Sequence, residues 1–183
     1  MKRSVLVLLL AFTGFSSPNN RSNHVSHGVI LDVPLLVPGD DAPLFALPSA
    51  EGNSVHLNAV LTDNTAVVLK FWATWCPMCW IELLELDEEY EALRAQGIEV
   101  LAVAVDRTED VEFFLESQSV ECPVLFDEKS EAAKQYGINA LPTTVLIDGA
   151  GKIVHTHIGL VPDLSEHVIA LLSIQSPQLH PGQ

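Results

Sequence analysis

The feature that most constrains the fold is an apolar, strand-like segment that runs directly into a Trp-Cys-Pro-Met-Cys motif. Residues 66–69 form an unbroken apolar run, which is typical of a buried strand. Beyond the motif, apolar residues recur at helical spacing: Ile81, Leu83, Leu84, Leu86, Tyr90 and Leu93. Gly97 follows and is a typical helix stop. The sequence therefore predicts that both cysteines lie where a strand ends and a helix begins.

This position favours redox chemistry at Cys76 and Cys79. The unpaired N–H groups and the dipole of a helix start stabilise an anion. A thiolate is such an anion, and it is the form that attacks disulfides. Cys76 is expected at the open helix end, with Cys79 one turn deeper and within reach of it. The pair can close into a disulfide and reopen, although the C-x-x-C spacing alone also occurs in zinc sites.

The whole chain divides into four predicted segments. Lys2 and Arg3 precede an apolar run at residues 5–12 that is too short to span a bilayer comfortably, a pattern typical of a secretory signal. The polar stretch that follows indicates a tether, and the remaining length suits one domain with a core. The predicted segments are a signal peptide or short anchor (1–16), a flexible linker (17–36), a folded domain (37–175) and a loose tail (176–183).

The charge balance excludes some classes of partner, and one cysteine and two histidines outside the motif are further candidates for a functional role. Nine Lys and Arg face 24 Asp and Glu, a formal net charge of −15, which argues against nucleic acid or an anionic membrane as a partner. Cys122 is left over once the C-x-x-C pairs, and we expect it to be a small buried hydrophobic residue. His155 and His157 alternate on one predicted strand, where they could join the cysteines in a metal site; we expect a structural or exposed role instead.

The pattern of elements predicts an α/β domain. A hairpin with a turn at residues 51–53 precedes the core. The predicted strands after the motif are 100–105, 120–126, 143–147 and 153–158, and the predicted helices are 111–115, 130–136 and 161–172. Strands and helices alternate and then end in a hairpin and a helix, which implies a mixed central sheet with helices on both faces.

Two motifs resemble a known family. The segment from Phe71 to Cys79 resembles the active site of thioredoxin-fold thiol–disulfide oxidoreductases, and its Ala-Thr-Trp-Cys-Pro-x-Cys form is similar to the TlpA/ResA-like extracytoplasmic branch. Pro142 matches the cis proline that faces the dithiol in this fold. The resemblance covers roughly residues 37–174. It implies a thioredoxin fold with an amino-terminal hairpin and a strand–helix insertion.

The resemblance also implies roles for individual residues. Cys76 would attack a substrate disulfide, and Cys79 would resolve the mixed disulfide. An incoming peptide strand would pair with the backbone of Leu141. The substrate-binding residues implied in this way are Trp75, Pro77, Leu141 and Pro142. Trp72 is expected in the core, and no role is predicted for Trp80.

Proton handling is where the chain departs from thioredoxins, which carry a buried Asp six residues before the first cysteine. Lys70 stands there. A buried ammonium is costly, so its side chain is expected either to reach water or to stay partly neutral. Glu82 matches an acid beside the dithiol in ResA-like members and would act as the base for Cys79. The alternative is a surface glutamate that complements the helix dipole.

The predicted function is that of a monomeric extracytoplasmic thiol–disulfide oxidoreductase that reduces periplasmic protein disulfides without a metal or organic cofactor. The resemblance implies a membrane thiol carrier as reductant. One alternative is a thiol peroxidase, but Ala73 stands where peroxiredoxins carry a threonine. The other is a copper chaperone, since thiolates suit Cu(I). Such chaperones have one more residue between their cysteines.

Overall fold

The computed structural model describes residues 34–161 and 163–175. The predicted signal or anchor (1–16), the tail (176–183) and nearly all of the linker (17–36) lie outside the described residues. Residues 34–36, which the prediction placed in the linker, contact the domain. The N–H of Leu36 donates to the carbonyl of Tyr136 at 3.4 Å, and its carbonyl accepts from the Thr156 hydroxyl at 2.9 Å.

Within these residues the domain has seven strands and six helices. In chain order they are β1 (Ala46–Pro48), β2 (Ser54–His56), α1 (Leu57–Asp63), β3 (Ala66–Trp72), α2 (Pro77–Glu88), α3 (Tyr90–Arg94), β4 (Ile98–Ala104), α4 (Thr108–Ser117), β5 (Val124–Phe126), α5 (Glu131–Gln135), β6 (Thr143–Asp148), β7 (Ile153–Ile158) and α6 (Leu164–Gln175).

Five strands form the central sheet, in the order β5-β4-β3-β6-β7. β3, β4 and β5 run parallel, whereas β6 is antiparallel to β3 and β7 is antiparallel to β6. β1 and β2 form a separate antiparallel hairpin ahead of this sheet. The mixed sheet, the amino-terminal hairpin and the inserted helix and strand, α4 and β5, are therefore confirmed.

The central strand β3 delivers the motif. All seven of its residues are buried, and successive side chains point to opposite faces of the sheet. Trp72 packs in a cluster with residues of α2, α3, α4 and α6, whereas Phe71 packs in a second cluster with residues of α1 and α5. Helices therefore cover both faces, as predicted. Because β3 ends at Trp72 and α2 begins at Pro77, the cysteines lie at the predicted strand-to-helix junction.

The boundaries of one helix and one strand after the motif differ from the prediction. The helix after the cysteines is interrupted at Glu89 and continues as α3. Periodicity could not separate the two helices, because Leu86 and Tyr90 pack in the same cluster. β5 starts after Pro123 rather than at residue 120. Proline has no N–H to donate to a strand ladder, so the strand cannot pair regularly through it.

Two helices also depart from the pattern. α6 begins at Leu164 and not at residue 161, and Asp163 before it has a left-handed φ of 51°. Pro162, predicted in the first helical turn, lies outside the described residues. The sequence does not predict α1, because Leu57 and Leu61 are its only buried residues and one such pair is too short a pattern to recognise.

Asp127 holds the start of α5 and supplies a stability prediction. Its 1% exposed carboxylate accepts from the N–H groups of Glu131, Ala132 and Ala133 at 2.8, 3.2 and 2.8 Å. Ser130 stands at the N-cap without a side-chain cap bond. We expect Asp127→Ala to lower the free energy of unfolding in urea by about 1–3 kcal/mol, because these donors lose their acceptor. Ser130→Ala is the control; an equal loss there would contradict this role.

Candidate active site

Cys76 and Cys79 form a disulfide at the start of α2, with Cα atoms 5.3 Å apart. Cys76 is the N-cap residue, and its Sγ accepts from the N–H of Cys79 at 3.3 Å. Pro77 occupies the first turn, where the missing N–H costs no helical hydrogen bond. Cys76 is 8% exposed and Cys79 is fully buried. An incoming sulfur atom can therefore reach only Cys76.

Three tryptophans surround this junction in different ways. Trp75 is 67% exposed beside Cys76, whereas Trp72 is fully buried, as predicted. Phe114 of α4 packs against the rings of both Trp72 and Trp80, with centroid distances of 5.2 and 5.4 Å. Trp80, for which the sequence predicts no role, thus joins α2 to the inserted helix α4.

The Leu141–Pro142 segment lies at the same edge of the sheet as the cysteines. Phe71 near the end of β3 pairs with Thr143 at the start of β6, which places the preceding residues beside the motif. The Leu141–Pro142 bond is cis, so this prediction is confirmed. The Pro142 carbonyl accepts from the N–H of Gly159 at 2.8 Å. Within residues 34–161 and 163–175 the backbone of Leu141 makes no hydrogen bond, and it remains available to an extended peptide.

Glu82 is buried, at 1% exposure, and forms an ion pair with Lys70. Its Oε1 also accepts from the N–H of Val161 at 3.0 Å. The alternative of a surface glutamate is therefore wrong. Lys70 is fully buried, so of the two alternatives expected for it, the one in which its side chain reaches water is excluded; its Nζ donates to Thr144 Oγ1 at 3.0 Å. Burial lowers the pKa of Lys70, and the hydrogen bond and charge of Glu82 oppose that shift.

The ion pair belongs to a polar row that crosses the sheet. Lys70, Thr144 and His157 are register neighbours on β3, β6 and β7. The half-buried imidazole of His157 contacts the carbonyl of Leu160 at 3.2 Å. Residues 159–161 are therefore tied to the cis-proline segment, to His157 and to Glu82. Sequence reasoning missed this row, because its members meet only through strand register.

A cavity of about 350 Å³ adjoins the buried acid. It opens between α2 and the start of α6, and acidic side chains dominate its wall. The lining residues are Glu82, Glu85, Leu86, Glu88, Glu89, Asp163, Leu164 and Ser165. Solvent in this cavity can therefore approach Glu82 along the part of α2 that lies one or more turns after the cysteines.

Two further aspartates, which lie outside the dithiol and the ion pair, accept hydrogen bonds from backbone N–H groups. Asp106, at the end of β4, accepts from the N–H and the hydroxyl of Thr74 at 3.0 and 2.5 Å and so anchors the loop before Cys76. Asp87 accepts from the N–H of Cys122 at 2.9 Å. Cys122 is 2% exposed and unpaired, as predicted. Burial, followed by the charge of Asp87, raises the pKa of its thiol, so it stays protonated.

Three histidines of β7 and α6 lie close together. His155 stacks on His157 and meets His167 edge-on, with ring centroids 6.2 and 5.5 Å apart. In the part of the chain that the structure describes, no group of three or more His, Cys, Asp or Glu side chains is placed to hold a metal ion. Among the same residues, no helix has both the length and the apolar character needed to cross a bilayer.

Comparisons with known proteins agree with this geometry. The thiol-disulfide oxidoreductase ResA of Geobacillus thermodenitrificans is 32% identical over 173 residues, covering 92% of both chains. That of Halalkalibacterium halodurans is 31% identical over 160 residues, covering 87% of this chain and 85% of the relative. A crystal structure from Chlorobium tepidum, described as a candidate thiol:disulfide interchange protein DsbE, is 35% identical with a TM-score of 0.68, covering 76% of this chain and 97% of that one.

A family model extends the match across the domain. The AhpC/TSA family model matches residues 38–156, a span that contains the dithiol, the buried ion pair and the cis proline. The chain therefore belongs to the AhpC/TSA family and, within it, to the thioredoxin-fold thiol–disulfide oxidoreductases of the ResA type.

Proposed function

We propose that this protein reduces disulfides in extracytoplasmic proteins through Cys76 and Cys79. The observation that carries the proposal is the difference in exposure within the pair, 8% for Cys76 and none for Cys79, at the start of a helix. The Cys76 thiolate attacks one sulfur of the substrate disulfide, and the other substrate sulfur leaves as a thiol after taking a proton. Cys79 then attacks Cys76 and releases the second substrate thiol. The substrate gains two electrons, and the protein keeps the disulfide.

The substrate surface that we propose consists of Trp75, Pro77, Leu141 and Pro142. The broad indole face of Trp75 is exposed beside the attacking sulfur and offers apolar contact area. Leu141 offers an unpaired backbone N–H and carbonyl, with which an extended segment of the substrate can form strand-like hydrogen bonds. These groups recognise backbone and apolar area, a combination that suits varied protein substrates.

Glu82 is the proposed base for the second step. Cys79 must lose its proton before it attacks, and it is fully buried, so water cannot take that proton directly. Glu82 lies three residues further along α2, which places it on the same helix face, one turn away. The adjoining acidic cavity then offers the proton a route to solvent.

The cellular setting is part of the proposal. The amino-terminal pattern of residues 1–16 supports export, and we place the protein in the bacterial periplasm or an equivalent compartment. A membrane thiol carrier would return the disulfide to the dithiol state by the reverse exchange. The protein would act as a monomer, and its net charge of −15 makes nucleic acid an unsuitable partner.

Insulin reduction by dithiothreitol tests this function. We expect catalytic amounts of the protein to accelerate insulin precipitation, and we expect Cys122→Ala to retain activity within about twofold, because its buried, protonated thiol plays no part in exchange. Copper(I) affinity measured on the same preparation tests the chaperone alternative. Tight copper binding without insulin reduction would overturn the proposed function, and a large loss in folded Cys122→Ala would make that residue a third redox centre.

A further inference from the structure

Lys70 is a buried charged group that has no part in the exchange mechanism proposed above. It lies in the middle of the central strand, fully buried, with an ammonium that reaches only two side chains described by the structure, Glu82 and Thr144. A lysine is expensive to place there, because burial removes the hydration of its charge. Direct contact with a group of opposite charge can offset this cost.

The Glu82 carboxylate is the group of opposite charge that contacts Lys70. A carboxyl buried without a counter-charge binds a proton and cannot act as a base near neutral pH. The acids around the adjoining cavity, Glu85, Glu88, Glu89 and Asp163, bring further negative charge near Glu82 and no counter-charge. Lys70 supplies the opposing charge at direct contact. It is therefore the counter-charge that a buried carboxylate at this position requires.

The contacts of the pair also fix its geometry. Thr144 holds the Lys70 ammonium from β6, and Val161 holds Glu82 Oε1 from the segment before α6. The remaining oxygen, Oε2, faces Lys70. The carboxylate is thus held between the sheet and α2, on the helix face that carries Cys79.

We propose that Lys70 is a positioning residue for disulfide exchange, which holds Glu82 as an oriented carboxylate so that it can accept the Cys79 proton. The inference rests on the proposed function of Cys76, Cys79 and Glu82. In this step the Cys79 S–H bond breaks and its proton passes to Glu82. The Cys79 sulfur bonds to Cys76, and the substrate sulfur leaves with the electron pair of the mixed disulfide.

The test follows the two phases of reaction between the reduced protein and an aromatic disulfide, 5,5′-dithiobis(2-nitrobenzoate), in a Cys122→Ala background. Stopped-flow absorbance separates the first attack, by Cys76, from the second, by Cys79. The rate of the second phase is measured from pH 5 to pH 9 for the reference protein and for Lys70→Met, Glu82→Gln and the double variant. The other titrating groups near the pair are Cys79 on α2, His157 on β7 and the cavity acids, and all four proteins retain them.

In Lys70→Met the isolated Glu82 binds its proton more tightly, so the rising limb of the pH profile should move up by about one pH unit or more. At pH 7 the second phase should slow several-fold, and by pH 9 it should recover to within about twofold of the reference. Glu82→Gln should remain slow where Lys70→Met has recovered. The double variant should match Glu82→Gln within about twofold, because Lys70 acts only through Glu82.

Several outcomes separate this inference from its alternatives. An unchanged profile in folded Lys70→Met overturns it, as does a double variant that is slower than Glu82→Gln by the full Lys70→Met factor. If Lys70→Met does not fold, the double variant, which buries no charge at this point, is compared with Glu82→Gln alone: second-phase rates within about twofold support the inference, and a double variant that is several-fold slower overturns it. Glu85→Gln, one turn along the same cavity wall, is the matched control, and a slowing of the second phase as large as that of Glu82→Gln overturns the assignment to the Lys70–Glu82 pair. If the reference protein shows no first phase, the proposed function itself is refuted.

Discussion

Replacing Cys76 with serine is expected to abolish disulfide reduction, lowering insulin turnover by about a thousandfold or more, the order seen when a covalent nucleophile is removed. Cys76 is the dithiol sulfur that an incoming substrate can reach, and its place at the start of α2 stabilises the attacking thiolate. The hydroxyl of serine stays protonated near neutral pH and cannot replace that thiolate.

The partner substitution should fail at a different step. Cys79→Ser keeps the first attack but lacks the resolving sulfur, so it should accumulate a mixed disulfide between Cys76 and the substrate. Mass spectrometry of the unreduced adduct measures this directly. If Cys76→Ser kept turnover while Cys79→Ser lost the first attack, the two roles would have to be exchanged.

Replacing Trp72 with alanine is expected to destabilise the fold by about 3–5 kcal/mol, the range for deleting a large buried aromatic side chain. The indole is fully buried at the end of β3 and packs against Phe114 with ring centroids 5.2 Å apart. Its loss would leave a cavity where β3, α2 and α4 meet. Urea unfolding followed by circular dichroism measures the change.

Trp75 is the matched control, three residues further along the same motif. It is 67% exposed, so Trp75→Ala should change the free energy of unfolding by less than about 0.5 kcal/mol. The same change should raise KM for insulin several-fold, because it removes apolar contact area beside Cys76. Equal destabilisation by both substitutions would contradict the separation of core from substrate surface at this motif.

The sequence was sufficient to place the dithiol. A run of buried apolar residues and a helical repeat flank Cys76 and Cys79 directly, so local patterns alone located them at the strand-to-helix junction. Pro142 was predicted cis through the family resemblance, and the structure agrees. Local patterns were weaker where an element is short, as at α1, or where two helices share one buried face, as at Glu89.

The buried ion pair shows what a single sequence does not contain. Lys70 and Glu82 each stood out, the first as a lysine in an apolar strand and the second as an acid one turn beyond Cys79. Their pairing depends on how α2 lies across β3, and the contact of Lys70 with Thr144 depends on a register between strands 74 residues apart in sequence. Neither relation leaves a local pattern in the sequence, so the pairing of Lys70 with Glu82 could not be predicted from it.

The measurement that tests the central claim most directly is a redox titration of the full chain against glutathione, with alkylation of free thiols and mass analysis of each cysteine peptide. We expect Cys76 and Cys79 to change together as one two-electron couple, at a potential between about −270 and −120 mV. Cys122 should keep its state throughout the titration. A dithiol that does not close, a potential that belongs to only one of the two cysteines, or a disulfide that includes Cys122 would contradict the account.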